Sequence, residues 1–265
     1  MLKVENVEVY GFEAAIRGAR NPMNSWDRMD SKFYITKLRN NCKIGPNDYK
    51  MLKNLTLAGP EHRKWNRMVT VTMDITAPMY WFSEYDTYKI ATTANSTSKM
   101  HKMLAKPFEM SDFSFDRLIG YKNEVKQFIP PVDELNEEWK GIQYGYKISN
   151  QGRVKKPQGR ILGYADKVNI YEEVARPIVD TLNELRDMWF NCDDEVIKKQ
   201  IWYNILQLLP NSYNQKRTVH LNYETLGAMY RQRRHHKLDE WHVFCDTLEK
   251  LPYSEFITMK FEEVE

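Results

Sequence analysis

The spacing of apolar and polar residues changes several times along the chain, and each change marks an element. MLKVENVEVYGF alternates, with Val4, Val7 and Val9 set among polar residues, and predicts a strand. EAAIRGARNPMNSW then has the pattern of a short helix ended by Asn-Pro. Tyr49, Leu52, Leu55 and Leu57 fall at helical spacing behind a Pro-Asn-Asp start. RMVTVTMDI is β-branched and alternating, so it predicts a second strand, stopped by the Pro of TAPMYW and followed by a helix.

Gly, Pro and the turn signals NQG and PQG dominate between Ile129 and Ala165, a stretch that predicts two or three short strands. VARPIVDTLNELRDMWF and DEVIKKQIWYNILQLLP are amphipathic helices, the second ended by Pro210. RTVHLNYETLGAMYRQRR and HKLDEWHVFCDTLEKLP complete an expected helical C-terminal half. The mixture predicts an α+β fold in which residues 1–128 and 167–265 build one domain and 129–166 form a small β-rich insert.

Composition changes this picture little. With 265 residues the chain can bury a sizeable core. Its 16 Tyr and 7 Trp exceed ordinary usage, which suits ring-lined pockets, broad subunit contacts or a large core. A net charge of +3 supports neither a nucleic-acid nor a membrane partner by itself. Cys42, Cys192 and Cys245 are odd in number and widely spaced, which argues against a disulfide framework or a zinc site and for a reducing cytosol. With no apolar signal core at the N-terminus and no apolar run of membrane-spanning length, the expectation is a soluble cytoplasmic protein.

Common catalytic signatures for phosphate cradles, serine hydrolases and zinc proteases are absent. His235 and His236 are adjacent, so on a helix their side chains diverge and no metal site is expected. RQRRHHK (231–237) is either a solvated helix face or an anion-capturing surface, since Arg forks bind phosphate in bidentate fashion. TYKIATTANSTSKMH (87–101) is rich in small hydroxyl residues and has no acid. It is either closely packed or a set of hydrogen-bond partners for a polar ligand.

The order of these pieces resembles the flavin-dependent thymidylate synthase family. That family carries Arg-His-Arg, a Ser, an Asn, a second Ser and a closing Arg-Tyr after an apolar stretch. Here Thr87, Tyr88 and Lys89 stand in place of Arg-His-Arg, and Thr92 or Thr93 in place of the first Ser. Asn95 and Ser98 match, and Met100 and His101 replace Arg-Tyr. Glu84 occupies the place of a Gln, and His62 that of a flavin-contacting His. Downstream, Asn222, one of Arg233 and Arg234, and Trp241 match a second run, in which Glu224 replaces an Arg. The resemblance covers roughly residues 60–105 and 200–245.

The resemblance implies the family's α+β fold, a homotetramer, and methylation of a dUMP-like pyrimidine nucleotide. FAD would be the cofactor, with NADPH and methylene-tetrahydrofolate if the family reaction is retained. By carry-over His62, Tyr88, Lys89, Asn95 and Asn222 face the flavin. Glu84, Ser98, Arg233 and Arg234 face the nucleotide, and His101 is a candidate acid or base. The lost cations keep open a second reading, a non-catalytic, phage-encoded protein that binds or sequesters a nucleotide, in the host cytoplasm.

EEWKGIQYGYKISNQGRVKKPQGRIL (137–162) is similar to a module found beside homing endonucleases, through Trp139, Ile142, Ile148, Ser149, Asn150, Gly152, Arg153 and Val154. That likeness implies DNA contact by Arg153, Lys155, Lys156 and Arg160, or else a purely structural insert.

Overall fold

The computed structural model describes residues 2–35, 40–98, 102–116, 118, 142–143, 146–148, 154–155 and 171–261. Two compact units result, one of residues 1–114 with 203–265 and one of 115–202.

In the first unit, β1 (Lys3–Tyr10) leads into α1 (Phe12–Arg20). A hairpin of β2 (Lys32–Ile35) and β3 (Asn40–Lys43) precedes α2 (Pro46–Leu57). β4 (Thr70–Pro78) runs into α3 (Met79–Tyr85), and β5 (Thr93–Ser96) follows. The second unit holds an antiparallel meander of β6 (Ile142–Gln143), β7 (Tyr146–Ile148) and β8 (Val154–Lys155), in keeping with the short strands expected there. A π-helical turn, Tyr171–Ala175, opens α4 (Arg176–Phe190), and α5 (Glu195–Leu208) crosses the boundary at Tyr203. The chain then forms β9 (Asn214–Asn222), α6 (Tyr223–Arg233), α7 (Asp239–Leu248) and α8 (Glu255–Thr258).

The main sheet is antiparallel in the order β1-β4-β9-β5. β4 alternates as its sequence demands: Val71, Met73, Ile75 and Ala77 are fully buried, and Thr70, Thr72, Asp74 and Thr76 line the other face. A bulge between Glu5 and Glu8, with Asn6 at φ 51°, interrupts the register of β1 on β4.

RTVHLN is strand and not helix, which corrects the expectation of a wholly helical C-terminal half. Val219 and Leu221 bury one face at a period of two, opposite Met73 and Val71 of β4. So short an apolar run has no decisive period of its own, and pairing with β4 on one side and β5 on the other decides it. The apolar stripe of α2 also differs from expectation: Leu57 is exposed, whereas Asp48, Leu52 and Thr56 are buried.

Asp48 is buried because Arg20 is. Its Oδ1 meets Arg20 Nε at 2.6 Å, and its Oδ2 accepts from the backbone N–H of Asp30 and Ser31 and from the Ser31 hydroxyl. Arg20 also donates to the Ser25 carbonyl at 3.0 Å. The pair ties α1, α2 and the intervening loop together. Rings fill the rest of the core: Trp81, Phe82 and Tyr85 of α3, Tyr223 and Tyr230 of α6, Trp241 and Phe244 of α7, and Phe256 of α8.

On the polar face of the sheet, the Asp74 carboxylate accepts from Thr218 (2.7 Å) and Asn6 (2.9 Å) and pairs with Lys216 (3.0 Å). The Thr218 hydrogen bond, then Asn6 and Lys216, hold its pKa down from 3.8 to about 2. A depressed carboxylate pKa contributes stability above 3.8 that is lost as pH falls towards 2. Asp74→Asn is therefore expected to flatten the decline of the urea midpoint across that interval, and an unchanged decline would remove Asp74 from the acid response.

Candidate functional site

Helix α6 organises the residues singled out above. It begins where β9 ends, and Asn222 makes the junction: its Oδ1 accepts the N–H of Thr225 at 2.9 Å and caps the helix. Asn222 is 7% exposed, so its amide is committed to holding the helix start. In the same first turn Glu224 receives Arg63 at 3.0 Å, which brings the neighbouring His62 to this end of the helix. The Thr225 hydroxyl donates to the carbonyl of Ile90 at 3.3 Å, which brings Lys89 there as well. His62, Lys89 and Asn222, far apart in sequence, are thus gathered about the N-terminal turn of α6. His62 and Lys89 are exposed.

The other end of α6 collects a second group. Tyr88 donates its hydroxyl proton to Gln232 Oε1 (2.8 Å) and accepts from Arg233 Nε (2.9 Å). Arg233 reaches Glu84 Oε2 at 2.6 Å and lies 5.0 Å from the centre of the Trp241 ring and 5.5 Å from that of Tyr88. Burial works against the charge on Arg233, but Tyr88 and Glu84 outweigh it, so its pKa is raised. Trp241 rests edge-on to Tyr88 (6.2 Å) and against Trp81 (4.7 Å), making a continuous aromatic floor. The donors Trp81 Nε1, Trp241 Nε1 and the Tyr85 hydroxyl are buried there without a hydrogen-bond partner among the described residues.

Between the two ends runs the hydroxyl-rich stretch. The Thr92 hydroxyl closes a turn onto the Tyr88 carbonyl (2.6 Å), with Ala91 in the left-handed region at φ 55°. Thr93–Ser96 then form β5, exposed at all four positions, with Asn95 opposite Thr218 of β9. Within this chain the small residues of β5 are therefore not closely packed. They form a polar strip at the sheet edge.

Of the expected set, Glu84, Tyr88 and Arg233 touch. Arg234, one residue on, turns to the other flank of α6, where Asp246 and Glu249 of the α7 segment hold it. Ser98 lies just past β5 and accepts the N–H of Lys102 at its carbonyl. His101 lies outside the described residues, as do Arg153, Lys156 and Arg160 of the basic stretch expected to contact DNA. Lys155 is described only as part of β8. His236 serves the backbone, its Nδ1 accepting from the N–H of Leu238 at 3.2 Å.

Two pairs at the site were not foreseen. Arg63–Glu224 joins segments with no local pattern in common. Arg217 joins Asp86 at 2.6 Å and stands 3.8 Å over the Phe82 ring, beside the end of α3. Asp86 and Glu224, each within two residues of a motif position, were the one available signal.

No model of a known protein family matches the sequence, and no curated protein matches it. Among solved structures, a crystal structure of thymidylate synthase X (ThyX) from Helicobacter pylori with FAD and dUMP aligns at a TM-score of 0.53 and 15% identity. It covers 97% of this chain and 96% of that one. A second structure of that flavin-dependent enzyme complexed with FAD and dUMP aligns at a TM-score of 0.53, with 96% of each chain covered. At this identity the likeness is one of fold: the chain has the α+β fold of the flavin-dependent thymidylate synthases.

Proposed function

We propose that this chain binds a flavin and a pyrimidine nucleotide around helix α6 and modifies the pyrimidine ring, as a flavin-dependent thymidylate synthase-like protein. The observation that carries the reading is the gathering of motif positions from three distant segments onto the two ends of one helix: His62, then Glu84 to Lys89, then Asn222 to Arg233.

The residues present suit a flavin. The half-buried Tyr88 ring offers an aromatic surface, Asn95 offers an exposed amide on β5, and Lys89 and His62 offer donors for a pyrophosphate. When bound, FAD supplies hydride chemistry to a pyrimidine carbon. The chain's own part is orientation. Arg233 and Gln232 hold the Tyr88 hydroxyl from two sides, and Asn222 fixes the helix start from which Glu224 and Thr225 reach the neighbouring segments. His101 remains the candidate acid or base, and Ser98, Arg233 and Arg234 the carried-over nucleotide positions. Methylene-tetrahydrofolate and NADPH belong to the proposal as carbon and electron donors. A homotetramer belongs to it too, in keeping with the exposed strip of β5 and with Ile90, 86% exposed beside it. So does a cytoplasmic location, that of the host if the chain is phage-encoded.

A second reading, nucleotide binding without chemistry, is favoured by one observation. The Tyr88 hydroxyl, where the family has a His, is already bonded to both Gln232 and Arg233. Native mass spectrometry with a visible absorption scan of the protein as purified separates the two. Bound FAD with tetramer mass is the expected result. A flavin-free protein carrying a nucleotide would replace the first reading with the second.

A further inference from the structure

We infer that the pyrimidine ligand of this site is recognised through its base and sugar and not through a 5′-phosphate, with Glu84 as the residue that sets this specificity. The inference rests on the pyrimidine-site reading above and goes past it to the mode of recognition: a pyrimidine nucleotide held by its base and sugar, to which its phosphate adds little.

The guanidinium groups about α6 and β9 are the natural phosphate holders, and the chain's own carboxylates hold four of them. Arg233 is bound by Glu84, Arg63 by Glu224, Arg217 by Asp86 and Arg234 by Asp246. Arg231 is exposed on a different flank of α6, where its Nη1 passes Gly227 beside Ile257 of α8. Lys216 is occupied by Asp74 at 3.0 Å. Among the described residues about these elements, exposed cations remain in Lys89, Arg231 and Lys237, and a fully solvated charge holds a phosphate only weakly.

Exposure fixes the sign of the surface. The Arg233 side chain is 15% exposed beneath its rings, whereas that of Glu84 is 41% exposed. An approaching ligand therefore meets the carboxylate before the guanidinium. A phosphate would have to displace Glu84 from Arg233 and then sit beside the displaced negative charge. A sugar hydroxyl or the imide N–H of a uracil ring pays no such cost, because a carboxylate accepts from either. Glu84 thus turns an anion holder into an acceptor.

The test is calorimetric titration of the full chain, as purified, with 2′-deoxyuridine and separately with dUMP, at two salt concentrations. The expectation is that dUMP binds within about threefold of deoxyuridine and with little salt dependence. Glu84→Gln keeps a hydrogen bond to Arg233 but removes the charge. One charge-assisted hydrogen bond corresponds to about 1.5–3 kcal/mol, so this variant is expected to tighten dUMP roughly tenfold to a hundredfold and to move deoxyuridine less than threefold. Tighter binding of dUMP than of deoxyuridine by tenfold or more in the unaltered protein overturns the inference and leaves the pyrimidine reading standing. Binding of neither ligand removes the pyrimidine reading and the inference with it.

Discussion

Asp48→Ala is expected to lower the unfolding free energy by about 3–5 kcal/mol, the largest effect of any single substitution outside the ring core. The reason is asymmetric. Asp48 and Arg20 are 0% and 2% exposed, so removing the carboxylate leaves a guanidinium in the interior with no counter-charge. It also strips three acceptor contacts from the loop at Asp30 and Ser31. Exchanging both partners for apolar residues of similar volume should restore much of the loss, since the cost comes from the orphaned charge more than from the missing attraction. Urea midpoints of the single and double variants decide the matter. A loss below about 1 kcal/mol in Asp48→Ala would mean that water reaches Arg20.

Trp241→Ala is the second large effect and acts on fold and site together. Deleting a fully buried indole costs about 3–5 kcal/mol through lost burial and the cavity left behind. It also removes the floor on which Arg233 rests and the edge contact that steadies Tyr88. Trp241→Phe, which keeps a ring, is expected to cost much less stability while loosening Arg233. The pair of variants therefore separates the roles. If Trp241→Phe binds ligand as the unaltered chain does, the indole serves the core alone; weakened binding at near-normal stability assigns it to the site.

How far the sequence announces these features depends on how local each one is. β1, β4 and α3 follow from alternation and from Pro78, both readable within a dozen residues. β9 does not, because Arg217 to Asn222 becomes a strand only between two partners that lie far upstream. Asp48 is deceptive in the same way. An acid in the first turn of a helix reads as a charge suited to the helix dipole, and only Arg20, brought in from α1, makes it a buried ion. At the proposed site, Glu84, Tyr88, Asn222 and Arg233 are expected positions because the order of motifs resembles the family's. That Glu84 occupies Arg233 is not legible there, since the two meet only when α3 packs beside α6. The hydroxyl-rich stretch allowed both packing and ligand contact, and its exposure on β5 shows that Thr93–Ser96 are not packed within this chain.

The position of β9 in the sheet has a consequence for how the chain is made. β5 finds its strand partner in β9, yet the whole segment 115–202 is synthesised between them. At ordinary translation speeds that interval is on the order of ten seconds, during which one edge of β4 and the pairing edge of β5 lack their eventual neighbour, β9. The first part of the sheet must wait, solvated or chaperoned, until residues 214–222 leave the ribosome. The small hydroxyl side chains of β5, poor in the apolar surface that drives strands to aggregate, suit a segment that waits. Once β9 arrives, the Ser114 N–H bonds the Ser212 carbonyl at 2.8 Å and Phe113 pairs with Tyr213, drawing together the two ends of a long detour. A ribosome-bound chain stopped before Asn214 is thus a nascent intermediate whose central strand has yet to be translated.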